Sequence, residues 1–231
     1  MEFMNKLSEQ RPSQARRHGL SDPRSVATRG PLSRLPPALL AICGLLVLAI
    51  MVSILFVDRP VAAFFTGHRE LKRLFQVMAA PSLLSLPAAG AFLAYAVLQK
   101  IGGGGPISRL WLTTSVATLA GTAAKDELKW MFGRPWPATW LHSGAYRFHP
   151  FSNSIFYGGF PSGHTSYIAA PLCVLWVLLP RWRVVWGGVI GMVMLGLVGA
   201  DYHFVGDVLG GLLTGVLCAW GSLVLMNQDD A

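Results

Sequence analysis

The apolar positions of this chain fall into six long runs separated by short polar stretches. The runs are roughly Ala38 to Val57, Leu74 to Leu98, Ile107 to Ala124, Thr165 to Leu179, Val184 to Val198 and Val208 to Met226. A bilayer asks for a helix of about 20 apolar residues. Backbone in hydrocarbon must also satisfy its own hydrogen bonds, which a helix does. The pattern therefore predicts an all-α, polytopic membrane protein, a six-transmembrane-helix bundle over residues 38–226. Residues 1–37 are polar and basic with no apolar period, and read as a disordered cytoplasmic tail. Residues 227–231 form a short C-terminal tail. The first run starts late and is too long for a cleaved signal.

The connections add detail. Asp58 to Arg73 mixes Phe64, Phe65 and Leu71 with Arg69, Lys72 and Arg73, a pattern for an interfacial helix. Pro81 and Pro87 should kink the second run. The glycines from Gly102 to Gly105, with Pro106, read as a flexible turn. They lack the preceding strand and following Lys-Ser/Thr of a phosphate loop. Trp130 to Phe160 reads as one long loop rich in aromatic residues, either a lipid-entry wall or an aromatic belt at the headgroup level.

Composition strengthens this picture. The 231 residues are 53% hydrophobic and 13% charged, against about 25% charged in soluble proteins. The net charge of +8 reads as orientation, not nucleic-acid binding, because much of it lies in the tail at Arg11, Arg16, Arg17, Arg24, Arg29 and Arg34. Lys100, Arg109, Arg181 and Arg183 fall on the same side, so both termini are placed in the cytoplasm. Arg69, Lys72 and Arg73 are the exception. Counting spans then puts three segments on the outer, periplasmic face of an inner membrane. They are the end of the third run, the stretch before His164, and Asp201 to Asp207. Cys43, Cys173 and Cys218 lie in apolar runs without metal-ligand spacing and read as free thiols.

Those three segments carry the candidate chemistry. In Pro161-Ser162-Gly163-His164 the proline can open a helix. Ser162 and Gly163 then offer backbone N–H groups at its positive end, where an anion binds, and His164 adds a group that moves protons near neutral pH. His203 and Asp207 are four apart and would share a helix face, the carboxylate fixing the imidazole tautomer. Asp201 is an alternative helix cap. Lys125 and Lys129 are also four apart, like charges that call for a counter-charge or a bound anion. As plain surface anchors they would snorkel instead. His142 and His149 have no carboxylate or cysteine at ligand spacing, so no metal site is expected.

Together the segments resemble the motifs of the type-2 phosphatidic acid phosphatase (PAP2) superfamily. The first motif, a Lys followed at a distance by Arg-Pro, reads Lys129-Trp130-Met131-Phe132-Gly133-Arg134-Pro135-Trp136-Pro137. The second, Pro-Ser-Gly-His, is intact at Pro161 to His164. The third, Ser-Arg, five residues, His, three residues, Asp, reads Gly196-Leu197, then His203 and Asp207. The resemblance implies a phosphatase without metal or cofactor that acts on a lipid phosphomonoester or diphosphate. It implies His203 as a nucleophile that becomes phosphohistidine, Asp207 as its orienter, and His164 as the proton donor to the leaving group. It implies that Lys129, Ser162 and Gly163 hold the phosphate. Two motif arginines are replaced, by Trp136 and Leu197. Arg134 is the expected substitute for the first, and Lys125 or Arg147 the candidates for the second, with Trp136 counted in the substrate site. The expected partners are an amphiphilic lipid phosphate and membrane lipids. Lipid phosphotransfer through the same intermediate and non-catalytic lipid-phosphate binding are the alternatives. A vanadate haloperoxidase shares the motifs, but those relatives are soluble.

Overall fold

The structure, a computed structural model, describes residues 36–103 and 108–227. The expected tail therefore lies almost wholly outside the described residues. So do most of the glycine turn and the last four residues. The helices in chain order are α1 (Pro37–Val52), α2 (Asp58–Gly67), α3 (Lys72–Ala79), α4 (Ser85–Ile101), α5 (Arg109–Phe132), α6 (Pro137–Ser143), α7 (Gly163–Leu178), α8 (Arg183–Gly199) and α9 (Val205–Asn227). There is no strand among the described residues, as an all-α membrane chain requires.

The expected interfacial segment is instead divided between two rods. A π-helical turn, Ser53–Val57, joins α1 to α2, and the Asp58 N–H bonds the Ser53 carbonyl, so the helix continues to Gly67. The chain breaks at His68, and a second rod runs from Arg69 to Ile101 through a 3-10 turn at Ala80–Leu84. Pro81 lies in that turn, where the helix changes pitch. Four helical stretches among the described residues are long and apolar enough to cross a membrane: Pro37–Gly67, Arg69–Ile101, Pro180–Gly199 and Val205–Met226. The other two expected spans fall on α5 and α7. The third run does not stop at Ala124. α5 runs on to Phe132, 24 residues in all and about 36 Å at the helical rise, and its charged last two turns reach the site.

α7 lies between α5 and α9, the two helices it packs against most closely. Ala117, Ala170, Val174 and Ala219 fill the contact. Small residues let the backbones approach. A Cβ on Gly211 would stand 2.5 Å from the Ser162 carbonyl oxygen, and one on Gly215 would stand 2.6 Å from the Ala169 Cβ. α8 meets α3 in the same way through Gly196 and Gly199, with Phe75 and Ala79 opposite. A second core of Ile168, Val193, Leu197 and Val208 lies under the C-terminal end of α8. Leu45, Leu48, Phe56 and Val184 point outward. Large apolar side chains so displayed mark a surface that meets something other than water.

Candidate active site

The site begins where α5 stops. Gly133 is the left-handed C-cap, with φ 58°, and a Cβ there would overlap the His149 carbonyl. Only glycine makes that turn, and the turn sends Arg134 inward. Arg134 is fully buried. Its Nη1 donates to Asp207 Oδ1 at 2.6 Å, and its Nη2 donates to Asp58 Oδ2 at 2.6 Å and to Tyr146 Oη at 2.9 Å. The guanidinium faces the Phe204 ring at 4.7 Å. A buried cation is tolerated only when paired and hydrogen-bonded. The expectation that Arg134 replaces a phosphate-binding arginine therefore meets a different placement, with its fork held by two carboxylates.

Asp58 and Tyr146 complete that cluster, and neither was singled out from the sequence. Asp58 Oδ1 accepts the Gly206 N–H at 2.8 Å. Tyr146 Oη donates to the Ile54 carbonyl at 2.7 Å, within the π-helical turn. Burial pushes the Tyr146 phenol up to about 12, so it stays a donor. A lone carboxylate at the end of an apolar run reads as a charge at the membrane edge; its partners lie 76 and 148 residues away. The available signal was the cost of an Asp inside a rod that does not end there.

Asp207 has two duties. It sits in the first turn of α9, and its Oδ2 accepts the Phe204 N–H at 2.9 Å, closing the helix end. The same oxygen lies 3.6 Å from His203 Nδ1, just beyond hydrogen-bond length. His203 does not ride on the helix as expected but in the turn before it. Asp201 is not the cap; it takes φ 60° in the turn and accepts from Thr66 Oγ1 at 3.3 Å.

α7 brings the third segment. Its N-cap is Ser162, whose Oγ accepts the Thr165 N–H, while Pro161 precedes the cap instead of opening the helix. Thr165 and Ser166 spend their N–H groups on Ser162. The amides of Gly163 and His164 are left at the open end, which carries the helix's positive pole. The Ser162 N–H donates to the Asp207 carbonyl at 2.9 Å, tying this end to α9. Ser162 itself is buried, with its Oγ also accepting from Thr165 Oγ1.

The lysines close over that end. A Cβ on Gly163 would stand 2.6 Å from Lys125 Cδ and 3.8 Å from Lys129 Cε, so Gly163 is what lets both stems lie against the helix start. The Lys125 ammonium pairs with Asp126. The Lys129 ammonium donates to the Gly158 carbonyl and sits 4.7 Å from the Trp136 ring centre. Burial, against the pull of Asp207, brings Lys129 down to about 8. Arg147 is exposed and is not among the residues lining the cavity below.

One cavity of about 620 Å³ is lined by His164, His203, Trp136, Leu197, Tyr202 and Gln76, with the turn between α3 and α4 as its far wall. Trp136 stands at the position of a missing arginine, its ring 5.0 Å from the His203 ring and its Nε1–H on the Ile155 carbonyl at 2.8 Å. Leu197, at the other missing arginine, is buried in the floor. Gln76 donates to Tyr202 Oη at 2.8 Å on the rim. His164 lies just ahead of the fourth expected span. Burial first, then His203, Lys129 and Lys125, hold it down to about 4. Burial also lowers His203, with Asp207 opposing. Both imidazoles are therefore neutral near pH 7. Negative charge in the cavity would raise both.

The aromatic stretch divides. Tyr146 and Phe160 pack inward against Phe204 and Phe132, while Phe151 and Phe156 stay exposed. Inside it lies α6, missed as a helix, although Pro137 at its first position and Gly144 after its last are the usual marks.

Known proteins share part of this sequence. Over 103 residues the chain is 36% identical to a lipid A 1-phosphatase of Rhizobium johnstonii and 35% identical to a lipid A 1-phosphatase of Rhizobium etli. The match covers 42% of this chain but only 38% and 40% of those relatives. No solved structure matches it. The sequence model of the PAP2 superfamily matches residues 110–230, over half of the chain and all three motif segments, and the chain belongs to that superfamily.

Proposed function

We propose that this protein is a membrane-embedded, metal-independent phosphatase of the PAP2 type that hydrolyses an amphiphilic lipid phosphate through a phosphohistidine. The observation that carries the reading is the cavity shared by His164 and His203, with Lys129 and the α7 N-terminus beside them. His203 Nδ1–H is held toward Asp207, leaving Nε2 as the nucleophile. Its lone pair attacks phosphorus, and the ester P–O bond breaks. His164 gives the leaving oxygen a proton. Lys129, with the N–H groups of Gly163 and His164, stabilises charge on the phosphoryl oxygens. Neutral His164 then takes a proton from water, the water oxygen attacks phosphorus, the P–N bond breaks and inorganic phosphate leaves. The bound anion supplies the charge that raises His164 into a useful range.

The substrate is read from the walls. Where the motif would put arginines, Trp136 and Leu197 make the cavity largely apolar, a fit for the lipid end of an amphiphile. The relatives are lipid A 1-phosphatases, so lipid A 1-phosphate is the first candidate for this chain. We place the chain in a bacterial inner membrane as a six-span bundle over 38–226, with tails at 1–37 and 227–231 in the cytoplasm and the site facing the periplasm.

The test uses the purified full chain in detergent with EDTA present. It is offered lipid A, phosphatidate, phosphatidylglycerol phosphate and a polyprenyl diphosphate. Phosphate release from at least one, lost in His203→Ala, is expected, together with an acid-labile phosphoenzyme in the parent. Equal release by parent and His203→Ala would end the proposal. Phosphate moved to an added acceptor lipid, with none released, would replace hydrolysis by transfer.

A further inference from the structure

The buried cluster of Asp58, Arg134 and Tyr146 touches neither the cavity lining nor the α7 N-terminus. It does touch Asp207. Arg134 bonds one oxygen of the Asp207 carboxylate, while the other faces His203. Asp58 holds Arg134 from behind and also takes the Gly206 N–H, next in sequence to Asp207. Tyr146 fixes the same guanidinium nitrogen and anchors it to the π-helical turn. Asp58, Arg134 and Asp207 are all fully buried, so these contacts are not diluted by water. Asp58 also lies outside the stretch matched to the superfamily, on the first rod.

We propose that Asp58, Arg134 and Tyr146 are positioning residues that set the orientation and charge of Asp207 and, through it, of His203. The inference rests on the reading of His203 as nucleophile. One guanidinium is shared by two carboxylates, so Asp207 keeps part of its negative charge for the imidazole. Without Asp58 the guanidinium would turn wholly to Asp207. The imidazole would then feel less negative charge and bind its proton less tightly. The other charged or titratable groups facing His203 are Lys129 from α5 and His164 from α7. Neither changes in the experiment.

Asp58→Asn keeps the shape and the Gly206 bond; Tyr146→Phe removes one hydroxyl and serves if Asp58→Asn does not fold. In phosphate release, Asp58→Asn should lower kcat by roughly tenfold, while KM and inhibition by inorganic phosphate stay within about twofold. Tyr146→Phe should lower kcat a few-fold in the same way. The acidic limb of kcat/KM should move to lower pH by roughly half a unit to one unit in Asp58→Asn. The imidazole titration of His203, followed by NMR on histidine-labelled full-length protein, should move the same way even if no lipid tested is a substrate. That reading separates the proposal from the phosphatase assignment. An unmoved His203 titration would overturn it. So would a rise in KM and loss of phosphate inhibition at unchanged kcat, which would make Arg134 a substrate ligand.

Discussion

At the residue scale the site turns on which groups are charged before the substrate arrives. Lys129 is the cation nearest the α7 N-terminus that burial has weakened, to about 8. A lysine is cationic below its pKa and neutral above it. Phosphate affinity of the free enzyme should therefore hold below about pH 7 and fall as pH rises through about 8. Inhibition by inorganic phosphate, measured from pH 6 to 10, reads this directly. Lys129→Met should remove the step and weaken inhibition at pH 7 by roughly tenfold or more. A step that persists in Lys129→Met belongs to another group. His164 allows a sharper test of role. If it protonates the leaving oxygen, His164→Ala should lose about 10²–10⁴-fold with an alkyl phosphate. It should lose far less with an acidic phenol as leaving group, which departs without a proton. Equal losses on both would remove it as the acid.

At the scale of elements, the close approach of α9 to α7 holds His203 and Asp207 against Ser162 and His164. Gly211 is where that approach is tightest over the cap, with no room for a Cβ beside the Ser162 carbonyl. Gly211→Ala should cost about 1–3 kcal/mol, as over-packing does, and lower activity with it. Gly191, which has open space around it, is the control, and Gly191→Ala should leave the melting temperature in detergent unchanged. The same scale shows what the sequence could reveal. The apolar runs marked most of the rods, because a membrane enforces length and polarity residue by residue. The nearness of His203 to Asp207 was also readable, since it is local, whereas Ser162 caps α7 where Pro161 was expected to open it. Asp58 was not readable, because its meaning comes from Arg134 and Gly206, which only the folded chain brings near. The placement of Arg134 between two carboxylates was not readable for the same reason. Spacing put it beside a motif position, but the left-handed turn at Gly133 sends it to the carboxylates. α6 was a different miss: its Pro137 and Gly144 were in view, hidden by the aromatic residues around them.

At the scale of the whole molecule, the proposed function needs the two ends of α5 on opposite faces of the membrane. Lys129 lies in the last turn of α5, and the aromatic stretch follows that end. Lys100 and Arg109 flank the other, and Arg181 belongs with them by the counting of spans. α5 falls short of a span by composition, being the most polar of the long helices, with Thr113, Thr114, Ser115 and Thr118 buried. Those side chains face protein, and three of the threonine hydroxyls donate to carbonyls one turn back. Inside a bundle such a helix crosses a bilayer without exposing them to lipid. Sidedness decides the matter. Asn153 and Arg181 are both exposed and lie on opposite sides of α7 along the chain. In intact bacterial cells, a membrane-impermeant maleimide should label Asn153→Cys. It should label Arg181→Cys only after the membrane is opened. The native cysteines lie within apolar helices and are partly buried, and should stay silent. Labelling of both positions from outside would mean that α7 does not cross, and the histidine site would then lack the membrane face proposed for it.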